Sequence, residues 1–187
     1  MENLTDFFSQ FEEWILKDIR QILKLEDEQG NLLEPDRSTQ DYHRPFVAAV
    51  ILTCCAIDVL AAFRYGKEKN DVGETFKCFL RNYFIETITK SKKSYNVDDV
   101  YNGLRNALLH GYSLNNDLAL SHDDEGKHLN RTGNYITVDV FMFYYDLEQV
   151  YKKYKEELRG GKHISEFNRR YVFAPLIRYI PEENLKR

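Results

Sequence analysis

The sequence predicts an all-α protein, an up-and-down helical bundle that carries one small β-hairpin insertion. Three observations lead there. Apolar residues recur at helical spacing from Phe7 to Leu23. The run from Phe46 to Phe63 is apolar nearly all round, as a central bundle helix must be. Two short β-prone runs, Leu118 to Ser121 and Tyr135 to Val138, flank a polar stretch containing Gly126.

Taken in order, residues 5–25 form the first helix, packing through Phe7, Phe8, Phe11, Trp14, Ile15, Ile19, Ile22 and Leu23, with Thr5 or Asp6 as its cap. Glu26 to Asn31 and Glu34 to Ser38 are charged and turn-rich, which makes this connection exposed and the most mobile part of the chain. Pro45 suits the first turn of the second helix, which continues through Phe63. A membrane span is the rival reading. The run is at the short limit of about 18–20 residues for a span and carries Asp58 well inside it, so a soluble bundle helix is preferred and no membrane is expected. Asp58 then needs a buried partner, for which Arg105, Arg64 or a backbone amide would serve.

A third helix follows Asp71-Val72-Gly73 and packs through Phe76, Phe79, Leu80, Tyr83 and Phe84. The loop from Lys90 to Tyr95 is the densest positive patch, and it leads into a fourth helix capped by Asn96 or Asp98. Beyond the β-prone runs, Asp139 opens a long helix through Tyr154 whose aromatic stripe reads as core or interface. Gly160-Gly161 ends it, and a last helix spans residues 162–174.

At 187 residues the chain fits a single domain, 1–187. A net charge of −4 and a pI near 5.8 argue against indiscriminate polyanion binding, so any nucleic-acid contact must be local. Three cysteines, two of them adjacent at Cys54-Cys55, offer neither a disulfide framework nor metal-ligand spacing. His122 and His128 beside Asp123 and Asp124 read as exposed turn polarity rather than as metal ligands, and no cofactor is expected. The N-terminus is acidic and polar, unlike a signal peptide, which points to the cytoplasm.

The segment Tyr101-Asn102-Gly103-Leu104-Arg105-Asn106-Ala107-Leu108-Leu109-His110-Gly111-Tyr112 carries the chemistry. At about 100° per residue, Val97, Val100, Tyr101, Leu104 and Leu108 share one helix face while Asn102, Asn106 and His110 share the opposite one. Arg105 lies on the flank, roughly 140° from His110, a gap its long side chain can span. Arginine offers a permanently charged fork to phosphate oxygens, histidine exchanges protons near neutrality, and asparagine can orient either. Gly111 suits a helix C-terminus, which places His110 in the last turn, where the helix dipole favours the imidazolium form.

Arg105-Asn106 followed by His110 resembles the Arg-x(4–6)-His signature of HEPN domains, and Tyr112 extends the likeness to the longer Arg-x4-His-x-Tyr form of HEPN toxins. The likeness extends more loosely over about residues 42–160, with the first and last helices packed on that core. It implies a small helical bundle that dimerises to join two Arg-His pairs into a metal-independent endoribonuclease. It also implies a partner nucleotidyltransferase antitoxin for which Tyr112 is a target.

In that reading Arg105 stabilises charge on the phosphate, His110 moves the proton, and Asn106 orients His110 or a phosphate oxygen. Asn102 shares the polar stripe, and Asp58 would hold Arg105 from behind. Lys92, Lys93 and Tyr95 would help hold an RNA strand. Leu109 on the outward face and Gly103 nearby would admit a second helix. The competing class is a non-catalytic HEPN-like module that binds nucleotide or RNA, or only dimerises.

Overall fold

Phenylalanine spacing organises the first helix. In the computed structural model, whose described residues are 2–37, 45–66, 72–85, 95–111, 118–122, 127–133 and 135–173, helix α1 runs through an α-helical segment Glu2–Gln10, a π-type segment Phe11–Leu16 and an α-helical segment Lys17–Ile22. Phe7 and Phe11 are four residues apart, Leu16 follows after five, and Ile19 and Leu23 resume α spacing. The i→i+5 hydrogen bonding of a π turn absorbs the extra residue, so all of these side chains stay buried. The helix starts at Glu2, so Thr5 and Asp6 lie inside it and neither is its cap.

Helix α2, Phe46–Tyr65, packs against α1, against α3 (Val72–Phe79, continuing as π-type Leu80–Ile85), and against the motif helix α4 (π-type Asp99–Asn106, then Ala107–Gly111). It also packs against α5 (Val140–Arg159) and α6 (Ile164–Phe173). Its uniform apolarity is explained by that central place. Among the described residues it is the one helix long and apolar enough to cross a membrane, yet half of its most apolar stretch is buried in the bundle. Gly66 ends it at φ 59, and a Cβ there would lie 2.7 Å from the Glu166 carbonyl oxygen, so α6 approaches closely only because this residue is glycine.

The expected hairpin between the two β-prone runs is corrected by the pairing. Strand β1 (Leu118–Ser121) runs parallel to β3 (Tyr135–Asp139), and the antiparallel partner of β3 is β2 (Asn130–Thr132), giving the order β1-β3-β2. The hairpin turn passes through Gly133 at φ 62, a conformation glycine supplies without strain. Because Asn130-Arg131-Thr132 has no apolar residue, its strand character was invisible to hydrophobic patterning. Leu118, Leu129, Ile136 and Val138 of this sheet region meet Val100 and Leu104 of α4 around a cavity of about 60 Å³, so the sheet backs the motif helix.

Two sequence readings of polar residues are also overturned. His128 is 2% exposed rather than surface turn polarity, and Tyr95 is 2% exposed, so its ring offers no face to an RNA strand. The Asp139 backbone N–H donates to His128 Nδ1 at 3.1 Å, which leaves the ring proton of the neutral form on Nε2. That nitrogen faces Tyr95 Oη at 2.9 Å, and the Tyr95 hydroxyl donates to Asp146 Oδ2 at 2.6 Å. Burial, and then the neighbouring Asp146 carboxylate, push the Tyr95 pKa well up, so the hydroxyl stays a donor. Asp139 also caps α5 through Met142 N and receives the Arg37 guanidinium at 2.7 Å. The described part of the connection after α1 is therefore tied down, by Glu26 bonded to Arg20 and by Arg37 bonded to Asp139. Tyr95→Phe should cost about 1–3 kcal/mol in urea unfolding, since it removes the hydroxyl bonded to both Asp146 and His128 and leaves the two with only their direct 3.4 Å contact in the core. A cost within experimental error would remove the network from the stability account.

Candidate functional site

Helix α4 is set by contacts on three sides. Asn96 Oδ1 accepts from the Asp98 and Asp99 backbone N–H groups at 3.0 and 3.3 Å, which caps the start; Asp98 makes no capping bond. Val100, Leu104 and Leu108 are buried, and so is Gly103, so that glycine serves packing within the protomer and is not free to admit a second helix. Lys77 of α3 pairs with Asp98 at 2.8 Å and stands 4.8 Å from the Tyr101 ring centre. A Cβ on Gly73 would lie 2.4 Å from Tyr101 Oη, so the absent side chain makes room for that ring.

The Tyr101 ring also meets the motif arginine, whose guanidinium carbon is 5.6 Å from the ring centre. Arg105 donates from Nε to Asp58 Oδ2 at 3.1 Å, with Nη2 also 3.1 Å from that oxygen, and from Nη1 to Asn106 Oδ1 at 2.8 Å. The partner that Asp58 requires is thus Arg105, and the Asn106 side-chain oxygen is bonded to the same arginine. These contacts leave one N–H on each terminal nitrogen of the guanidinium, and a pair of that kind fits two oxygens of a phosphate.

Burial raises the Asp58 pKa, and the adjacent Arg105 charge partly reverses the rise. Asp58 Oδ1 is buried and finds no hydrogen-bond partner among the described residues. Cys55 lies close enough to this pair for burial and the Asp58 charge to push its thiol pKa up, which makes it a poor nucleophile.

His110 is exposed at the end of α4, and among the described residues no group bonds to it. Asn102 is exposed and Leu109 half-buried. Arg105, Asn106 and Asp58 are therefore in direct contact, whereas His110 stands at the surface one helical turn and a residue further on. Tyr112, Lys92 and Lys93 lie outside the described residues. His122 stacks on Phe46 at 4.6 Å, His128 is buried, and Asp123 and Asp124 lie outside the described residues. Among the described residues no group of three or more His, Cys, Asp or Glu side chains is placed to hold a metal.

The residues that sequence reading missed are Lys77, Gly73 and the second role of Tyr101. Only the spacing from Tyr101 to Arg105 was a local signal, since residues four apart meet on one helix face. Arg105→Ala should destabilise the protein by about 1–3 kcal/mol, less than for a fully buried pair because both side chains keep some water contact. Asp58→Asn in the same molecule should recover most of that loss. Additive losses in chemical denaturation would show that the two side chains are not coupled.

Comparison of the chain with protein-family models, with curated proteins and with solved structures returned no match.

Proposed function

We propose that the protein is a metal-independent endoribonuclease of HEPN type that cleaves single-stranded RNA at a site completed by a second copy. The observation that carries this reading is the tethered arginine. Arg105 is held by Asp58 and Asn106 with N–H groups left over, on the same short helix as an exposed histidine. Pairing with Asp58 and Asn106 uses only part of the guanidinium, and the remaining N–H groups are available to a phosphate.

In the proposed reaction a ribose 2′-hydroxyl attacks the adjacent phosphorus while His110 takes its proton. The bond from phosphorus to the 5′-oxygen breaks, and that oxygen is protonated, so the products are a 2′,3′-cyclic phosphate and a 5′-hydroxyl. Arg105 stabilises the charge that builds on the phosphate oxygens. One protomer supplies one histidine for two proton transfers, and the corresponding histidine of a second copy supplies the other.

Dimerisation is supported by the half-buried apolar residues Ile51, Leu52 and Val59 of α2, which lie along the helix from the half-buried Asp58. A toxin or antiviral component acting in the cytoplasm, held off by an antitoxin or a nucleotidyltransferase that modifies Tyr112, is the biological setting this proposal carries.

The test is digestion of a mixed RNA pool in chelator by wild type and Arg105→Ala, with end-group analysis. Wild type should yield 2′,3′-cyclic phosphates, and the variant should be slower by about 10²–10³-fold. Tight RNA binding by a well-folded protein that cuts nothing would favour the non-catalytic module instead.

A further inference from the structure

Two hydrogen-bonded partners do not fix a guanidinium fully, and Arg105 has a further neighbour. Asp58 holds its Nε and Nη2 edge at 3.1 Å, and Asn106 holds Nη1 at 2.8 Å. Rotation about the line joining those two tethers stays soft. Tyr101, four residues earlier on α4, has its ring centre 5.6 Å from the guanidinium carbon, within reach of a cation-π contact, and so supplies a restraint that the hydrogen bonds do not.

The ring is itself seated by another helix. Gly73, Phe76 and Lys77 follow one another at spacings of three and four on α3, so they share one face of it. A Cβ on Gly73 would lie 2.4 Å from Tyr101 Oη and 2.9 Å from Cζ, the Phe76 ring is 5.7 Å from the Tyr101 ring, and Lys77 Nζ is 4.8 Å from the Tyr101 ring centre. Lys77 is paired with Asp98 at 2.8 Å, which offsets its repulsion of Arg105. Alanine would favour the first turn of α3 more than glycine does, so Gly73 costs helix stability, and the space it leaves is the space the ring fills. Among the described residues the Tyr101 hydroxyl bonds to nothing, so the seat holds the ring for its face and volume rather than for its oxygen.

We propose that Gly73 and Tyr101 form one positioning unit for Arg105, in which the space at Gly73 admits the ring and the ring holds the guanidinium in the direction from which a phosphate meets it. Its consequence for turnover rests on the ribonuclease reading of α4, whereas its consequence for the guanidinium rests on the contacts alone.

Steady-state cleavage of a short RNA by the full chain tests the first consequence. Tyr101→Leu and Gly73→Ala should each lower kcat about tenfold with KM little changed, because the guanidinium is present but misdirected. Tyr101→Phe, which keeps the ring, should restore kcat to near the wild-type value. Gly73→Ala combined with Tyr101→Leu should be no slower than Tyr101→Leu alone, since both changes remove the same restraint. An undiminished kcat in Tyr101→Leu, equal losses in the Leu and Phe variants, or losses that multiply in the double variant would overturn the proposal. If wild type cuts no RNA, the ribonuclease reading fails by itself, and the positioning unit is decided by the Arg105 Nε–H signal in heteronuclear NMR, identified by its loss in Arg105→Lys. That signal should move toward the position of free arginine in Tyr101→Leu and Gly73→Ala and stay in place in Tyr101→Phe. A signal unmoved in Tyr101→Leu would overturn the proposal whatever the RNA result.

Discussion

His110→Ala is expected to slow RNA cleavage by about 10²–10⁴-fold, the usual loss when a positioned proton-transfer group is removed. Its stability should stay within about 0.5 kcal/mol of wild type, because the side chain is exposed and bonds to nothing among the described residues. That combination separates chemistry from scaffold. Arg105→Ala loses activity and stability together, since Asp58 would be left as an uncompensated, half-buried carboxylate. Asp58→Asn separates the two further. It frees a positive charge, so RNA should bind at least as tightly, while turnover falls because the guanidinium is no longer oriented. Cleavage by His110→Ala at the wild-type rate, measured on the same RNA pool, would end the case for this histidine and with it the proposed mechanism.

Phe7→Ala should be the most damaging core substitution among those considered, at about 3–5 kcal/mol. The Phe7 ring is fully buried and lies 4.5 Å from Phe63 of α2 and 5.2 Å from Phe167 of α6, so one side chain joins the first, second and last helices. Removing it leaves a cavity that three helices would all have to move to fill. Denaturant unfolding should show the loss as a lower midpoint with an unchanged slope, because the three helices unfold as one unit. If instead α1 detached alone, the slope would fall and the loss would be smaller, which would argue that the first helix is an appendage rather than part of the core.

Helical character was legible in advance wherever side-chain spacing matched a helix period. The central helix, the aromatic α5 with its Asp139 cap, and the last helix fall where apolar periodicity and turn residues put them. The start of α1 was missed because Thr5 and Asp6 are good capping residues locally, while packing of the half-buried Leu4 against the core favours helix before them. The sheet was legible only as two β-prone runs. Their parallel pairing needs β2, whose residues carry no hydrophobic signal, to occupy the other edge of β3.

The candidate site divides in the same way. Arg105, Asn106 and His110 could be read from one short segment, and Asp58 from the cost of an unpaired carboxylate in an apolar helix. By itself the sequence determined a mainly helical chain, the polar stripe of its motif helix and the need of Asp58 for a partner, because these follow from periodicity and desolvation within a few turns. Only the tertiary structure decided that this partner is Arg105, that Asn106 turns toward the arginine, and that Tyr95 and His128 belong to the interior. Those outcomes depend on which of several competing hydrogen bonds and burials the packed helices bring within about 3 Å, a condition set by residues far apart in the chain.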